Sequence, residues 1–448
     1  MPADRDIARQ IALAAEAAGG RAYYVGGCVR DALRGVDGED VDVEVHGVAP
    51  DALYAILGTI GEPLAMGESF GIFGLRHCGI DVAMPRREAV TGRGHRDFDV
   101  LVDPFLGEEN AARRRDFTIN AMMQDVLTGE ILDFFGGRDD LARGVLRHVS
   151  ADTFPEDPLR VLRGAQFAAR FGFALAPETT ALCRTMDLSA LSRERVLGEL
   201  EKALLQADTP SVFFEVLREA GHLSVWFPEV GALIGVPQDP RYHAEGDVWN
   251  HTMRVLDAAA AYRADADDPF GFMLAALAHD FGKTICTVQT GGAIHAYGHE
   301  TRGLPLCEAF LRRLTDHRKR TAYVLELVRY HMQPNILAGC AARPRSMNRL
   351  FDRVRDPDAL LLLAKADWEG CGARPPYPYG DWLRARLDDY RACMAQPWLG
   401  ARDLIRAGFE PGETLGEALS FAHKLRLAGL DRDAALAQTC GQFQKTRK

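Results

Sequence analysis

Residues 40–45, Asp-Val-Asp-Val-Glu-Val, alternate carboxylate with valine. In a β-strand that period sends Asp40, Asp42 and Glu44 to one face and Val41, Val43 and Val45 to the other. One face is therefore core and the other a row of acids. Upstream, the β-branched and aromatic run Arg21-Ala22-Tyr23-Tyr24-Val25 reads as another strand that turns through Gly26-Gly27 into a helix from Val29. Glycines at such a turn let backbone N–H groups close on a phosphate. An exposed edge strand would satisfy the alternation by itself. The glycine turn ahead of it favours a metal and nucleotide site, because carboxylates on alternate residues can hold two Mg²⁺ ions roughly 3.5–4 Å apart during phosphoryl or nucleotidyl transfer.

Residues 6–18 and 49–58 read as helices, and residues 69–84 as a hairpin with Asp81 at the start of its second strand. Residues 86–99 are charged, contain glycine and have no periodicity, so they read as a loop. Next comes Arg113-Arg114-Arg115-Asp116-Phe117-Thr118-Ile119-Asn120. Three arginines alone suit a solvated face; ahead of an apolar run with a Thr and an Asn they suit phosphate, which guanidinium forks bind well.

Downstream of Glu156-Asp157-Pro158, apolar residues at Leu159, Leu162, Phe167 and Phe171 and arginines at 160, 163 and 170 predict a helix with one packed and one basic face. Asp157 suits an N-cap there. With Arg160 it also offers acceptors and donors together, which can pair with the edge of a base. A third group of polar residues comprises His251, His279-Asp280, Lys283, His299, His331 and Asp367. A single helical histidine is usually a satisfied core residue, whereas several ligand types in this order can hold one or two divalent ions.

At 448 residues, with 47% hydrophobic and 26% charged, the chain has room for two to four domains. A net charge of −10 argues against non-specific coating of nucleic acid, although a local groove can still be basic. No apolar run approaches a membrane span and no signal segment opens the chain, so cytoplasm without membrane association is expected. Nine cysteines are scattered without a Cys-x-x-Cys pair, which suggests neither zinc ribbon nor disulfide framework.

Gly-Gly-x-Val-Arg-Asp at 26–31 followed by Asp-x-Asp at 40–42 resembles the polymerase-beta-like nucleotidyltransferases, in the branch of tRNA nucleotidyltransferases and bacterial poly(A) polymerases. Arg-Arg-Asp-Phe-Thr-x-Asn at 114–120 is similar to that branch's triphosphate and ribose motif, and Glu-Asp-x-x-Arg at 156–160 to the protein template of the class II CCA-adding enzymes. The order of His251, His279-Asp280 and Asp367 resembles the HD phosphohydrolases.

The resemblance implies an α+β fold: a nucleotidyltransferase head with a small mixed sheet (1–145), a helical neck with template and RNA-binding region (146–225), an HD domain (226–372) and C-terminal helices (373–448). It implies that Asp40 and Asp42 are Mg²⁺ ligands, with Asp81 a third catalytic carboxylate. Gly26, Gly27, Arg30, Arg114, Arg115, Asp116 and Asn120 would serve triphosphate and ribose, and Asp157, Arg160 and Arg163 the nucleotide being selected. In the HD domain His251, His279, Asp280 and Asp367 would hold a divalent transition metal, with His299, His331 and Lys283 on a second metal or a phosphate. CTP, ATP and tRNA are the implied partners, the tRNA recognised by shape and phosphate along the neck and later helices. One departure stands out: the family usually carries Asp where this chain has Ala111, which bears on recognition of the ribose 2′-hydroxyl. Addition of only CC or only A, a poly(A) polymerase, and an HD hydrolase with an inactive head are the competing readings.

Overall fold

In the computed structural model, which describes residues 4–36, 41–67, 72–90, 98–372 and 374–444, the expected strands appear at β1 (Arg21–Val25) and β2 (Val41–His46). They are joined by β3 (Pro63–Gly67), β4 (Ile72–Leu75) and β5 (Ile80–Ala83), by an outlying pair β6 (Arg86–Val90) and β7 (Phe98–Val102), and by β8 (Met123–Asp125) and β9 (Ile131–Leu132). One seven-stranded mixed sheet results, in the order β3-β4-β5-β2-β1-β8-β9. The alternation in β2 does what its period requires. Val41, Val43 and Val45, with Ile80 and Val82 of β5, pack on Ile7 and Ile11 of the helix Asp4–Ala17 and on Leu53 and Leu57 of the helix Pro50–Ile60. Each such aliphatic side chain contributes roughly 1.5–3 kcal/mol by leaving water.

β2 and β5 run parallel with Asp42 opposite Asp81, while β1 runs antiparallel to β2 with Tyr24 opposite Val43. The hairpin expected over 69–84 is the antiparallel pair β4 and β5, with Phe73 opposite Val82; residues 68–71 lie outside the described residues. The loop expected over 86–99 is corrected in part. β6 and β7 pair antiparallel from Arg86 opposite Val102 to Val90 opposite Phe98, and the ion pair of Arg87 with Asp103 adjoins them. Charges on these strands hid the Phe-x-Val-x-Val alternation of β7; residues 91–97 lie outside the described residues.

Contacts divide the chain into two compact units, residues 1–226 and 227–448. In the first, the helix Leu159–Phe171 packs against Arg193–Gln206 and Ser211–Glu219. In the second, Pro269–Ala278 is apolar on every side and is buried accordingly, with Val248–Ala260, Arg318–Tyr330 and Pro357–Gly370 around it. Three of these helices begin with an aspartate cap: Asp247, Asp268 and Asp356 accept from the backbone N–H of Asn250, Gly271 and Ala359. Each cap is worth about 1 kcal/mol and fixes where its helix starts. A short hairpin, Val288–Thr290 with Ala293–His295, interrupts this helical unit. Among the described residues no helix is long and apolar enough to cross a membrane.

Candidate active sites

The first site is built on the register of β2 and β5. In-register neighbours project to the same side of a sheet, so Asp42 and Asp81 stand side by side, and both line a cleft of about 520 Å³. Asp40 lies outside the described residues. Gly26 completes the edge: its φ of +65° is one that a side chain disfavours. A Cβ there would lie 3.2 Å from Arg115 Nη1 and 3.8 Å from Asp42 Oδ2. The glycine thus keeps open a cradle between a guanidinium and a carboxylate. Two oxygen-rich side chains beside such a cradle are a donor set suited to Mg²⁺.

Arg115 is aimed by Glu44, whose Oε2 accepts from its Nη2 at 3.1 Å. Glu44 lines the same cleft as Asp42, as the alternation requires, and is buried there between Arg115 and His46, the His46 contact being 2.9 Å. Burial alone would raise its pKa, but Arg115 and His46 outweigh that and bring it down to about 2. Arg114 is held by Glu156, Nη2 to Oε2 at 2.6 Å. Asp116 accepts from Asn120 Nδ2 at 3.1 Å and from Arg163 Nε at 2.6 Å. Burial opposes its charge, yet Arg163 and Asn120 keep its carboxyl below the ordinary range.

Arg30 and Asn120, expected on the triphosphate or ribose, are buried and hold each other: Arg30 Nη1 donates to Asn120 Oδ1 at 2.7 Å. Arg30 also forks onto Asp31 at 3.0 and 2.7 Å and lies over the ring of Phe171. The two side chains thus clamp the glycine-turn helix to the 113–121 segment. On the basic face expected of the helix Leu159–Phe171, Arg163 and Arg170 are half-buried and Arg160 is turned inward. Arg160 is buried and donates to the carbonyls of Thr153 at 2.6 Å and Arg114 at 2.7 Å. Asp157 Oδ1 accepts from the N–H of Leu159, as expected of a cap, while its Oδ2 accepts from Arg195 Nη2 at 2.7 Å. Asp157, Arg160, Arg163 and Arg195 all line the cleft, and so does Ala111. Arg195 belongs to the helix Arg193–Gln206, and only the fold puts it opposite Asp157.

The second site lies at the end of the buried helix Pro269–Ala278, which delivers His279 and Asp280. Val248–Ala260 contributes His251, Pro357–Gly370 contributes Asp367, and His299 and His331 flank two further helices. The Nδ1 atoms of His279, His299 and His331 face the carbonyls of Ala276, Ala296 and Val328 at 2.8, 2.8 and 2.6 Å. A carbonyl only accepts, so Nδ1 carries the proton and Nε2 presents its lone pair. His251 is arranged the same way by Glu245, Nδ1 to Oε1 at 3.0 Å.

Inside, lone pairs meet lone pairs. The Nε2 atoms of His251 and His279 are 3.4 Å apart, and so are those of His299 and His331. Asp280 stands between the pairs, with Oδ2 at 3.1 Å from His279 and Oδ1 at 3.2 Å from His299. Asp280 Oδ2 is fully buried and has no aligned hydrogen-bond donor, although Lys283 Nζ lies 2.7 Å away. Asp367 Oδ1 is 3.0 Å from His251 Nε2. Convergent ring nitrogens around a buried carboxylate are a donor set that fits one or two divalent transition ions. The six residues form two clusters, His251, His279 and Asp367, and Asp280, His299 and His331.

Burial and the neighbouring imidazoles push the His331 pKa down to about 3, which keeps it neutral. Lys283, Asp280, His299 and Asp367 border a cleft of about 700 Å³ whose wall also carries Arg241 and Arg374. The sequence reading missed His243, Glu245 and Cys371, which gather on the far nitrogen of His251. The signal was there for two of them, since His243 and Glu245 precede His251 by less than three helical turns.

A family model described as the poly A polymerase head domain matches residues 22–147, and one described as a probable RNA and SrmB-binding site of polymerase A matches residues 172–233. The "Multifunctional CCA protein" of Nitrosococcus oceani is 39% identical over 410 residues, which cover 89% of this chain and 95% of the relative. That of Halorhodospira halophila is 38% identical over 433 residues, covering 93% and 99%. Among solved structures, the Bacillus stearothermophilus CCA-adding enzyme in complex with CTP is 25% identical with a TM-score of 0.69, over 100% of this chain and 99% of that one. The Thermotoga maritima CCA-adding enzyme complexed with tRNA shares the fold at 19% identity and a TM-score of 0.64, over 98% and 95%.

Proposed function

The chain belongs to the CCA-adding tRNA nucleotidyltransferases with a poly(A) polymerase-type head, and on that premise we propose that it builds CCA on tRNA 3′ ends from CTP and ATP without a nucleic-acid template. The observation that carries this reading is the pairing of Asp42 with Asp81 in one cleft with Arg115, beside Gly26. Asp42 and Asp81, together with Asp40, would hold Mg²⁺, which would supply Lewis-acid charge for attack by a 3′-hydroxyl on an α-phosphorus with release of pyrophosphate.

The rest is work of the protein's own groups. Arg115, fixed by Glu44, and Arg114, fixed by Glu156, receive triphosphate oxygens, and the Gly26-Gly27 turn lets the backbone approach them. Asp157 and Arg160 read the base. To do so they exchange their present partners, Arg195 and the Thr153 and Arg114 carbonyls, for the base's own donors and acceptors. Asp116 and Arg163 brace that face through their mutual ion pair. The match of residues 172–233 to an RNA-binding family model supports tRNA lying along the neck helices.

Incorporation of labelled CTP and ATP into tRNA transcripts ending at the discriminator base, at C and at CC tests the proposal. Completion of CCA on all three is expected. Arrest at CC, or addition to the CC transcript alone, would make the chain a partial adder; long A-only tails would make it a poly(A) polymerase.

A second activity is favoured by the convergent histidines. We infer that the unit 227–448 is an HD-type phosphohydrolase in which His251, His279, Asp280 and Asp367, with His299 and His331, would hold a divalent transition metal, which would supply Lewis-acid charge for hydrolysis. Lys283, Arg241 and Arg374 on the cleft wall receive the phosphoester's charge.

A further inference from the structure

Glu245 needs only one donor to orient His251, yet two further groups converge on it. His243 Nδ1 lies 2.8 Å from Glu245 Oε1, the same oxygen that accepts from His251. Cys371 Sγ is 3.8 Å from His243 Nδ1 and 4.0 Å from His251 Nδ1. Glu245 is locked in place from its other side, Oε2 accepting from the N–H of Gly372 at 2.9 Å. The Glu245 side chain is completely buried and that of His243 is 18% exposed. Neither the nucleotidyl transfer nor the phosphohydrolase reading uses His243 or Cys371.

We propose that Cys371 Sγ, His243 Nδ1 and Glu245 Oε1 form a separate, thiolate-containing site for a borderline to soft divalent cation of the Zn²⁺ class. In a tetrahedral zinc site with Zn–S of about 2.3 Å and Zn–N of about 2.0 Å, sulfur and nitrogen stand about 3.5 Å apart. The 3.8 Å between Cys371 and His243 requires only a small contraction. One sulfur, one nitrogen and one oxygen select zinc, cobalt or nickel over magnesium and calcium. Binding releases the thiol proton to solvent, and the proton that His243 Nδ1 shares with Glu245 passes to Nε2 of the same ring, freeing Nδ1 for the ion. Cys371 and His243 both line the 700 Å³ cleft, so the ion has an entry path and a water can complete the fourth position. Glu245 is common to this site and to the orientation of His251. A cation here therefore draws charge from the carboxylate that fixes His251 and couples the two sites.

The test is a Co²⁺ titration of the full chain after chelation and dialysis, followed by absorption. A thiolate-to-cobalt charge-transfer band in the near ultraviolet is expected from the wild type and not from Cys371→Ser. His243→Ala, which keeps the thiol, should bind cobalt in that band about tenfold or more weakly. Cobalt spectra with visible bands alone in the wild type would overturn the proposal. So would a charge-transfer band undiminished in Cys371→Ser, because another cysteine then supplies the sulfur, or an unchanged titration in His243→Ala. Far-ultraviolet circular dichroism checks folding; should Cys371→Ser not fold, the wild type and His243→Ala decide. The readout needs no turnover, so it stands or falls apart from the phosphohydrolase reading.

Discussion

Glu44 and Asp157 are acids whose neighbours, more than their own chemistry, define what they do. Glu44 has an ordinary pKa of 4.5 and is held at about 2 in the fold, burial being outweighed by Arg115 and His46. A lowered folded pKa contributes stability that is fully present above 4.5 and is lost as pH falls from there toward 2. A shift of that size corresponds to about 3 kcal/mol. Glu44→Gln should therefore melt well below wild type at pH 7, and the gap should narrow steadily between pH 5 and pH 2. A gap that does not change with pH would show that no charged pair is lost. On the proposed reading Asp157 serves nucleotide selection, its Oδ2 accepting from Arg195 at the cleft wall. Asp157→Ala should relax the preference for CTP and ATP over UTP and GTP by about tenfold or more, since an unmatched hydrogen bond in a specific pocket costs on the order of 1–3 kcal/mol. Tight tRNA binding should survive. Unchanged nucleotide selection would remove Asp157 from base reading.

At the level of strands and helices, what could be read from the chain was whatever had a period or a cap. The valine and acid alternation of β2, the glycine turn at Gly26 and the capping Asp157 follow from spacing and turn chemistry. Which strand lies beside which does not, so Asp81 opposite Asp42 rested on resemblance until the parallel register of β2 and β5 supplied it. The inward turn of Arg30 and Arg160 was equally illegible, because a buried arginine is recognised by partners distant in sequence, here Asn120 and the carbonyls of Thr153 and Arg114. Close backbone crossings are also invisible in a sequence. A Cβ on Gly282 would collide with the carbonyl of His299 and crowd Gly303 Cα at 3.0 Å. Gly282→Ala should thus force the segment bearing His299 away from Asp280. Its bound metal, measured by elemental analysis after loading, should fall by about half relative to wild type, with the His251, His279 and Asp367 group retained. Full metal content in a folded variant would mean that Asp280, His299 and His331 do not bind an ion of their own.

Over the whole molecule, the two constellations lie in different compact units, residues 1–226 and 227–448, and none of the described residues lines both clefts. Each unit has its own apolar core, so removing charge in one cleft leaves the packing of the other intact. A two-way separation follows. Asp42→Asn with Asp81→Asn should reduce nucleotide addition by at least about 10³-fold, the scale on which preorganised electrostatic groups act. Hydrolysis of a nitrophenyl phosphoester with an added transition metal should remain within about twofold of wild type. His279→Ala with Asp280→Ala should do the reverse, abolishing hydrolysis while CCA addition continues. Loss of both activities in either double variant, with folding verified by circular dichroism, would mean that the units share a catalytic dependence. The separation also distinguishes the readings of the head: an inactive head would leave the first double variant indistinguishable from wild type in every assay. An active one makes it the variant in which the second unit can be measured alone.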